Sequence, residues 1–381
     1  MLIQFHILQN YAPSNLNRDD TGAPKDTVFG GVRRGRISSQ CIKRSIRRST
    51  AFAENFSQDD LLGIRTRKLP ALVKEELEQQ GVEEPDLSFI VDKISGVGRE
   101  SGKKSADEED TQEGETEATE KEDMVKQLMF LGKNEVGPLA AAFLEIYRKI
   151  GQKEWAKADI SKITKGLKAS LPRSVDIAMF GRMTTSDAFE DVSAAVQVAH
   201  AISTNTLNQE FDYFTAVDDL ADEPGAGMIG DIEFNSSTYY KYVNVHWEEL
   251  VANLGGDIAV AERGVLALLD AVVKAQPTGK QNTFAAFNLP DLVLVEVTDV
   301  NLPVSYANAF LKPVKATHEA TLMQNSITQL GNYLEKITAA YNIEAKRACL
   351  NLEGKEFPMS DAILTLDDLK NWLKARLTQE A

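Results

Sequence analysis

The chain has 381 residues and an ordinary globular composition, 43% hydrophobic and 7% aromatic, which suits two or three structural units. It contains no apolar run long enough to span a membrane and no signal-peptide pattern, so we expect a cytoplasmic protein without a membrane partner. Cys41 and Cys349 are the only cysteines and the four histidines are scattered, so we expect no metal site and no cofactor.

The net charge of -15 argues at first against nucleic acid, because such binding draws most of its affinity from Lys and Arg. The charge is unevenly distributed, however. Glu100–Asp123 contains 11 acidic and 3 basic residues, whereas Thr27–Ala53 contains seven Lys or Arg residues and no acidic residue. The acidic tract lacks aromatic residues and apolar periodicity, which predicts a disordered loop. The basic segment indicates a binding surface.

The N-terminal part predicts a strand, a loop and a helix. Apolar and polar residues alternate over 3–7, which is typical of a half-buried strand. Six Gly and Pro residues between 10 and 35 predict a loop. Ser38 then precedes a helical pattern with Ile42 and Ile46 on one face, and a serine in that position caps free backbone amides.

Residues 57–171 show a mostly helical pattern and are predicted to form an inserted unit. Strand patterns return at Val175–Phe180 and Val196–Ile202. The Gly- and Asp-rich stretch Thr206–Phe234 is predicted to be a loop, and loops of that length tend to be functional or disordered.

The C-terminal part mixes strand and helix patterns. The predicted elements are strands at Thr238–Val245, Thr283–Phe287 and Leu292–Val297 and helices at Ile258–Ala275, Thr317–Ala340 and Leu366–Leu377. The order of elements predicts an α+β fold with one sheet.

The basic segment has the residues best suited to bind a phosphate group. Its helix start presents unpaired amides and the positive end of the helix dipole to a phosphate, and Lys43 and Arg47 add charge one turn apart. Ser38 and Gln40 have donors for sugar or phosphate oxygens. A solvated helix face, or a basic helix for a membrane or an acidic partner, is the alternative interpretation.

Several sequence blocks occur in a consistent order from the first strand to about residue 315. They are Asn17-Arg18-Asp19-Asp20, Lys25-Asp26, Phe29-Gly30-Gly31, Arg34-Gly35-Arg36-Ile37-Ser38-Ser39-Gln40 with Lys43 and Arg44, Val175-Asp176-Ile177-Ala178 with Gly181-Arg182-Met183, Ala199-His200-Ala201-Ile202, Phe214-Thr215-Ala216-Val217-Asp218-Asp219-Leu220, and Thr283-Phe284-Ala285-Ala286-Phe287-Asn288. Together they closely resemble the CasC family, the backbone subunit of the type I-E CRISPR Cascade surveillance complex.

The resemblance implies a modified RRM or ferredoxin-like palm with an inserted helical fingers domain and a protruding thumb hairpin. It implies several copies along a CRISPR RNA, with other Cascade subunits and target DNA as further partners. The expected domains are palm at 1–56, fingers at 57–171 with the disordered acidic loop at 100–123, palm at 172–205, a thumb loop at 206–236, and palm with C-terminal helices at 237–381.

The resemblance also implies which residues contact RNA. The candidates for the RNA backbone are Arg18, Lys25, Ser38, Gln40, Lys43 and Arg47. Met183 and Phe214, with Tyr213 and Thr215 nearby, are the implied wedge that displaces one base at intervals. An apolar wedge and an aromatic face stack on any base, which suits a guide of arbitrary sequence. Without the resemblance, Met183 and Phe214 are more often core residues, and His200 is expected to be a hydrogen-bonded core histidine.

A second basic surface is predicted on a helix over residues 154–168, where Lys157, Lys165 and Lys168 share one face and apolar residues the other. In the fingers, this face suits the phosphates of the target DNA duplex. An ordinary solvated helix face is the alternative.

A catalytic alternative rests on Asp19, Asp20 and Asp26, which offer carboxylates for a divalent metal and hence for cleavage of a target RNA. Each lies beside Arg18 or Lys25, so a salt bridge that orders the loop is the simpler interpretation. We therefore expect a protein that is not an enzyme. A protein-only scaffold that binds no RNA is the third possibility.

Overall fold

A computed structural model of the chain describes residues 1–94, 125, 128–159, 163, 173–184, 189–217 and 226–378. The chain forms two units. The first comprises Met1–Asn55, Val196–Glu248 and Ala261–Ala381, and the second comprises Phe56–Ala195 and Glu249–Val260. The predicted acidic loop, Lys165 and Lys168 lie outside the described residues.

The strands and helices are numbered in chain order. The strands are β1 (Leu2–Ser14), β2 (Asp26–Phe29), β3 (Val32–Ile37), β4 (Gly63–Thr66), β5 (Met129–Gly132), β6 (Val196–Val198), β7 (Ala201–Ser203), β8 (Glu210–Val217), β9 (Ala226–His246), β10 (Leu292–Thr298), β11 (Lys346–Asn351) and β12 (Asp361–Ile363). The helices are α1 (Ser39–Arg48), α2 (Thr50–Ala53), α3 (Leu69–Gln79), α4 (Asp86–Ile94), α5 (Lys133–Lys157), α6 (Val175–Phe180), α7 (Trp247–Asn253), α8 (Ile258–Lys274), α9 (Gln281–Phe284), α10 (Leu322–Tyr341) and α11 (Leu366–Leu377).

A ten-stranded sheet forms the first unit, in the order β12-β11-β10-β1-β9-β7-β3-β2, with β6 and β8 also paired to β9. The β11–β12 pair is parallel and the other pairs are antiparallel. The central strand β1 has β9 on one side and β10 on the other, with Phe5 opposite both Val243 and Val295. Together with the helices, this sheet confirms the predicted α+β class.

The strand β1 is buried on both faces, and the prediction of a half-buried strand is wrong. Its polar residues are buried because each has partners. Gln4 accepts hydrogen bonds from the Tyr242 hydroxyl (2.6 Å) and the Val304 amide (2.9 Å), and His6 contacts Glu296 (2.8 Å). A buried polar side chain that forms hydrogen bonds inside the protein is compensated for the bonds to water that it loses on folding.

Helix α10 covers one face of the sheet. Leu330 and Leu334 on this helix pack with Leu8, Leu292 and Leu294, all of which are fully buried. Each such side chain contributes about 1.5–3 kcal/mol when it leaves water. The capping box of Thr321 and Gln324 fixes the start of the helix.

The second unit has its own core, built by α3, α4 and α5 around residues such as Val73, Ile90 and Phe143. The antiparallel pair of β4 and β5 also belongs to this unit and forms a second sheet, so the prediction of one sheet is wrong. A buried ion pair joins Arg182 to Glu135 at 2.7 Å.

Two predicted strands are helices. Val175–Phe180 forms α6, and Thr283–Phe287 is replaced by α9 at Gln281–Phe284. A short apolar run has the same pattern in a buried strand and in a helix buried on all sides, and five residues of α6 are buried. The predicted strand at 196–202 is divided into β6 and β7.

Two predicted loops contain strands. The first loop region holds the end of β1 and the β2–β3 hairpin, whose turn residues Gly30 and Gly31 both have positive φ (61° and 77°). The second, at Thr206–Phe234, contains β8 and the first part of β9, which pair in register from Glu210 opposite Phe234. The sequence patterns did not predict strands β11 and β12 or helix α7. No helix in the described ranges has the length and apolarity to cross a membrane.

Candidate nucleic-acid interface

The basic helix α1 is amphipathic, as predicted. Ser38 is its N-cap and accepts a hydrogen bond from the Cys41 amide at 3.3 Å. Ile42 and Ile46 are buried on one face. Gln40, Arg44 and Arg48 follow one another at four-residue intervals on the opposite, exposed face and form a ridge.

Lys43 and Arg47 flank this ridge and are half-buried. At about 100° per residue, they and the three ridge residues occupy a continuous arc of about 140° around α1. Burial lowers the pKa of Lys43. An anion beside Lys43 would stabilise its protonated form, because an opposite charge raises the pKa of an amine.

A groove of about 1230 Å³ runs beside the ridge. Ser38 and all three ridge residues line it, whereas Lys43, Arg47 and Lys25 do not. Its walls also include the loop over residues 16–22 and residues from the end of α8 and beyond. The lining residues are Leu16, Asn17, Arg18, Asp19, Asp20, Thr21, Gly22, Ser38, Gln40, Cys41, Arg44, Ser45, Arg48, Ser49, Thr50, Lys274, Ala275, Gln276, Thr278, Gly279 and Phe287.

Four cations and two carboxylates line the groove, so its charge is opposite in sign to that of the whole chain. The cations are Arg18, Arg44, Arg48 and Lys274. Lys274 pairs with Asp270 (3.0 Å) at the end of α8. A concave surface with excess positive charge concentrates polyanions near it.

The loop that carries Arg18 is held by a compact turn. The Asp19 carboxylate accepts hydrogen bonds from the Thr21 hydroxyl (2.8 Å), the Thr21 amide (3.0 Å) and the Ala23 amide (3.0 Å). The bond from the Thr21 hydroxyl is the largest cause of a lowered Asp19 pKa. Asn17 accepts from the Ser38 amide at 2.8 Å and so ties the loop to the start of α1.

For Asp19 and Asp26, these contacts correct the expectation of pairing with Arg18 or Lys25. Asp19 completes its own turn, and the ion-pair partner of Asp26 is Arg33. In the described part of the chain, no three His, Cys, Asp or Glu residues form a group able to hold a metal ion.

The opposite wall depends on a hydrogen-bond network at β1. The Tyr11 hydroxyl donates to the Gln276 carbonyl (2.7 Å), and the Gln276 amide donates to the Asn288 backbone oxygen (3.0 Å). Asn288 accepts in turn from the Ala12 amide at 3.1 Å. Gly279 packs so closely against the Leu16 backbone that a Cβ would clash. This wall was missed from the sequence because its contacts to β1 and to Leu16 join residues more than 250 positions apart.

Arg34 is basic but is not a surface residue. Its guanidinium is fully buried and donates to the backbone oxygens of Ser203 (2.9 Å), Thr204 (2.9 Å) and Phe310 (2.7 Å). The burial lowers its pKa. Arg34 therefore organises the backbone of the first unit.

His200 is exposed, so its expected place in the core is wrong. Its Nδ1 lies 3.3 Å from both the Ser39 amide and an Arg36 guanidinium nitrogen. Burial, then the charges of Arg36 and Lys25, lower its pKa. A neutral imidazole is thereby favoured, and it accepts from the start of α1.

The β8–β9 hairpin carries the aromatic candidates. Tyr213 is 65% exposed, as is Phe211 on the same face, which no sequence block had indicated. Thr215 is also exposed. Phe214 faces the other side and is half-buried, with its ring over Gly230, where a Cβ would lie 2.6 Å from the ring. The hairpin exposes aromatic surface to solvent.

Met183 is 95% exposed and follows Gly181, which has a φ of 78°. Its interpretation as a core residue is therefore wrong. It belongs to the second unit, whereas Tyr213, Phe214 and Thr215 belong to the first.

Lys157 is exposed and is the last residue of α5, 3.5 Å from Glu154. Ala158 is extended, so the continuous helix predicted over 154–168 is wrong. Lys165 and Lys168 lie outside the described residues, and the common face of the three lysines stays a prediction.

The model of one protein family, described as CT1975-like protein, matches residues 3–372. The chain belongs to this family.

The CT1975-like chain is similar in structure to subunits of two solved complexes. A chain of the "CRISPR RNA-guided surveillance complex, pre-nicking" is 28% identical with a TM-score of 0.79, and the alignment covers 99% of this chain and 100% of that one. A chain of a "CRISPR RNA-guided surveillance complex" is 24% identical with a TM-score of 0.59, over 99% of each chain, and shows the fold alone. A comparison with curated proteins gave no match.

Proposed function

We propose that this chain is a CRISPR RNA-binding backbone subunit of a Cascade surveillance complex of type I-E. The observation that carries the proposal is the groove beside α1, where four cations gather in a chain whose net charge is -15. Similarity over 99% of the chain to a subunit of a CRISPR RNA-guided complex supports the same function.

The groove holds the RNA backbone by charge and hydrogen bonds. Arg18 and the ridge residues Arg44 and Arg48 neutralise phosphates, while Ser38 and Gln40 donate to phosphate or sugar oxygens. Lys25, Lys43 and Arg47, outside the groove lining, extend the contacts to neighbouring nucleotides. Backbone contacts carry no sequence information, so one surface serves every guide.

Bases are displaced at intervals by Met183 and Phe214, with Tyr213 and Thr215 beside Phe214. The exposure of Met183 and Tyr213 supports this role, since both side chains are available to a base. Each chain consists of an RRM-like palm, helical fingers and a thumb. Copies of the chain assemble along the guide in the cytoplasm, together with other Cascade subunits. Lys157, Lys165 and Lys168 contact target DNA, which pairs with the guide in antiviral defence.

The protein acts without catalysis. The engagement of Asp19 in its turn and of Asp26 with Arg33 supports this part of the proposal over a metal-dependent nuclease. Incubation of the assembled complex with complementary RNA and Mg²⁺ is expected to leave the RNA intact. Metal-dependent cleavage that is lost in Asp19→Asn would overturn it.

The binding test reverses charge on the ridge in the full chain. Arg44→Glu with Arg48→Glu should weaken binding of single-stranded RNA of any sequence, because both residues line the groove. Each lost phosphate contact should reduce the salt slope of log K by about 0.7, so the double variant should lose about 1.4. Fluorescence anisotropy over a salt series measures both quantities.

The matched control is Lys336→Glu with Lys346→Glu, which makes the same charge change on two exposed residues outside the groove lining. The control should keep a nearly wild-type salt slope. Equal losses in the two double variants would show that net charge alone governs binding. A wild-type chain that ignores RNA at low salt would overturn the proposed function.

A further inference from the structure

The groove contains one aromatic side chain, Phe287, in a loop on the wall opposite α1. The side chain is 63% exposed. Phenylalanine normally buries most of its surface, because water contact with the ring is unfavourable. In a concave site that is also lined by cations, the exposed ring is available to a bound partner.

The loop holds this ring in place. The Gln281 side chain is buried and bridges the loop: its carbonyl accepts from the Ala286 amide at 2.8 Å, and its amide donates to the Pro277 oxygen at 3.0 Å. Phe287 donates its own amide to the Ala285 oxygen at 2.9 Å. These bonds hold the backbone before the ring, and the bonds of Asn288 to Ala12 and Gln276 hold the backbone after it.

The loop backbone is strained in the same short stretch. Lys280 and Ala285, neither of them glycine, have φ values of 50° and 49°. Such conformations persist where the surroundings enforce them and are frequent at ligand sites. The neighbouring ring of Phe284 instead packs against Phe234, with ring centroids 5.6 Å apart. Phe284, the last residue of α9, thus anchors the start of the loop, whereas Phe287 lines the groove.

We infer that Phe287 is a stacking platform for a nucleobase of the strand whose phosphates lie along the α1 ridge. The inference rests on the proposed RNA-binding function and adds a base contact to it. The groove offers cations for a phosphate on one wall and an aromatic face on the other, and a nucleotide has both complementary groups. An apolar protein segment would contact the ring but bring no negative charge to Arg18, Arg44 and Arg48.

Stacking of this kind accepts any base, because every base has a π-face. Phe287 therefore fixes the position of one nucleotide along the groove without restricting the guide sequence. The contact differs from that of Met183, Tyr213 and Phe214, since it belongs to the groove itself.

The test compares Phe287→Ala with Leu289→Ala in the full chain. Leu289 is 61% exposed in the same loop but does not line the groove. Binding is measured by anisotropy with a labelled oligouridine RNA of about 12 nucleotides, and with a strand of the same length whose nucleotides lack bases. Phe287→Ala should weaken binding of the oligouridine about 5- to 100-fold and leave the abasic strand unchanged.

Phe287→Trp should restore the oligouridine affinity, since an indole offers a larger stacking face. Photo-crosslinking with 5-iodouridine in the wild-type complex should label Phe287. If Phe287→Ala and Leu289→Ala bind oligouridine equally well, the stacking inference is wrong. Different results would overturn the proposed function itself: a wild-type chain that binds neither strand, or an Arg44 and Arg48 double variant that binds both strands as the wild type does.

Discussion

The buried carboxylate of Glu296 provides a quantitative test of the first unit. Its oxygens accept hydrogen bonds from the Tyr306 hydroxyl (2.9 Å), His6 Nε2 lies 2.8 Å away, and Arg347 forms an ion pair with it. All these residues lie in the core of the sheet. We expect Glu296→Gln to destabilise the protein, because it leaves the Arg347 charge buried without its partner.

The magnitude follows from the carboxyl pKa. Burial opposes ionisation of Glu296, but the charges and hydrogen bonds of His6 and Arg347 outweigh it and lower the pKa from 4.5 to about 2. A depressed carboxyl pKa stabilises the folded state above pH 4.5, and this stability is lost as the pH falls toward 2. The difference corresponds to about 3 kcal/mol in the free energy of unfolding.

Urea unfolding from pH 7 down to the acid limit of the folded protein measures this contribution. The difference between wild type and Glu296→Gln should be about 3–5 kcal/mol near neutral pH and should shrink below pH 4.5. Glu344→Gln, at an exposed position, is the matched control and should follow the wild type. A wild-type-to-Glu296→Gln difference that stays constant with pH would refute the electrostatic reasoning.

Two further substitutions test local features of the same unit. Lys241 is buried with its ammonium 5.8 Å from the Tyr11 ring, and desolvation lowers its pKa to about 7. Lys241→Met should therefore raise the free energy of unfolding at pH 7 by up to about 4 kcal/mol. Urea titrations should show that this gain becomes smaller toward pH 10, because the lysine of the unfolded wild-type chain also loses its proton there. Gly30→Ala should lower the melting temperature more than Gly31→Ala, because both have positive φ but only a Cβ at Gly30 meets the Leu311 backbone. Equal shifts in calorimetry would show that backbone conformation alone sets the cost.

Local signals predicted several elements well. Helix α1 has a serine cap and two isoleucines one turn apart, and α11 begins and ends at the predicted Leu366 and Leu377. Both combine a clear start signal with a periodic apolar face. By contrast, five of the six residues of α6 are buried, Asp176 among them, so this short segment gives no period that distinguishes helix from strand.

The candidate site could be predicted in part. The sequence revealed the charge of α1, but the face that lines a groove depends on how the helix packs on the sheet. From the sequence alone, Arg44 and Arg48 are therefore equally consistent with contacts to RNA, to a neighbouring subunit or to solvent. Arg33 and Arg34 illustrate the same limit: they are adjacent in β3, and the alternation of a strand exposes one and buries the other. Phe287 lines the same groove as α1 only because of tertiary contacts.

The position of β1 in the sheet has a consequence for synthesis of the chain. This strand is made first, yet its partner β9 ends at His246 and its partner β10 begins only at Leu292. Pairings between such distant residues form late, because the intervening chain must be available and ordered. Most of the second unit, Phe56–Ala195, is complete much earlier. The groove itself needs Gln276 and Phe287 beside the N-terminal loop, so a nascent chain lacks the complete groove until synthesis has passed Phe287.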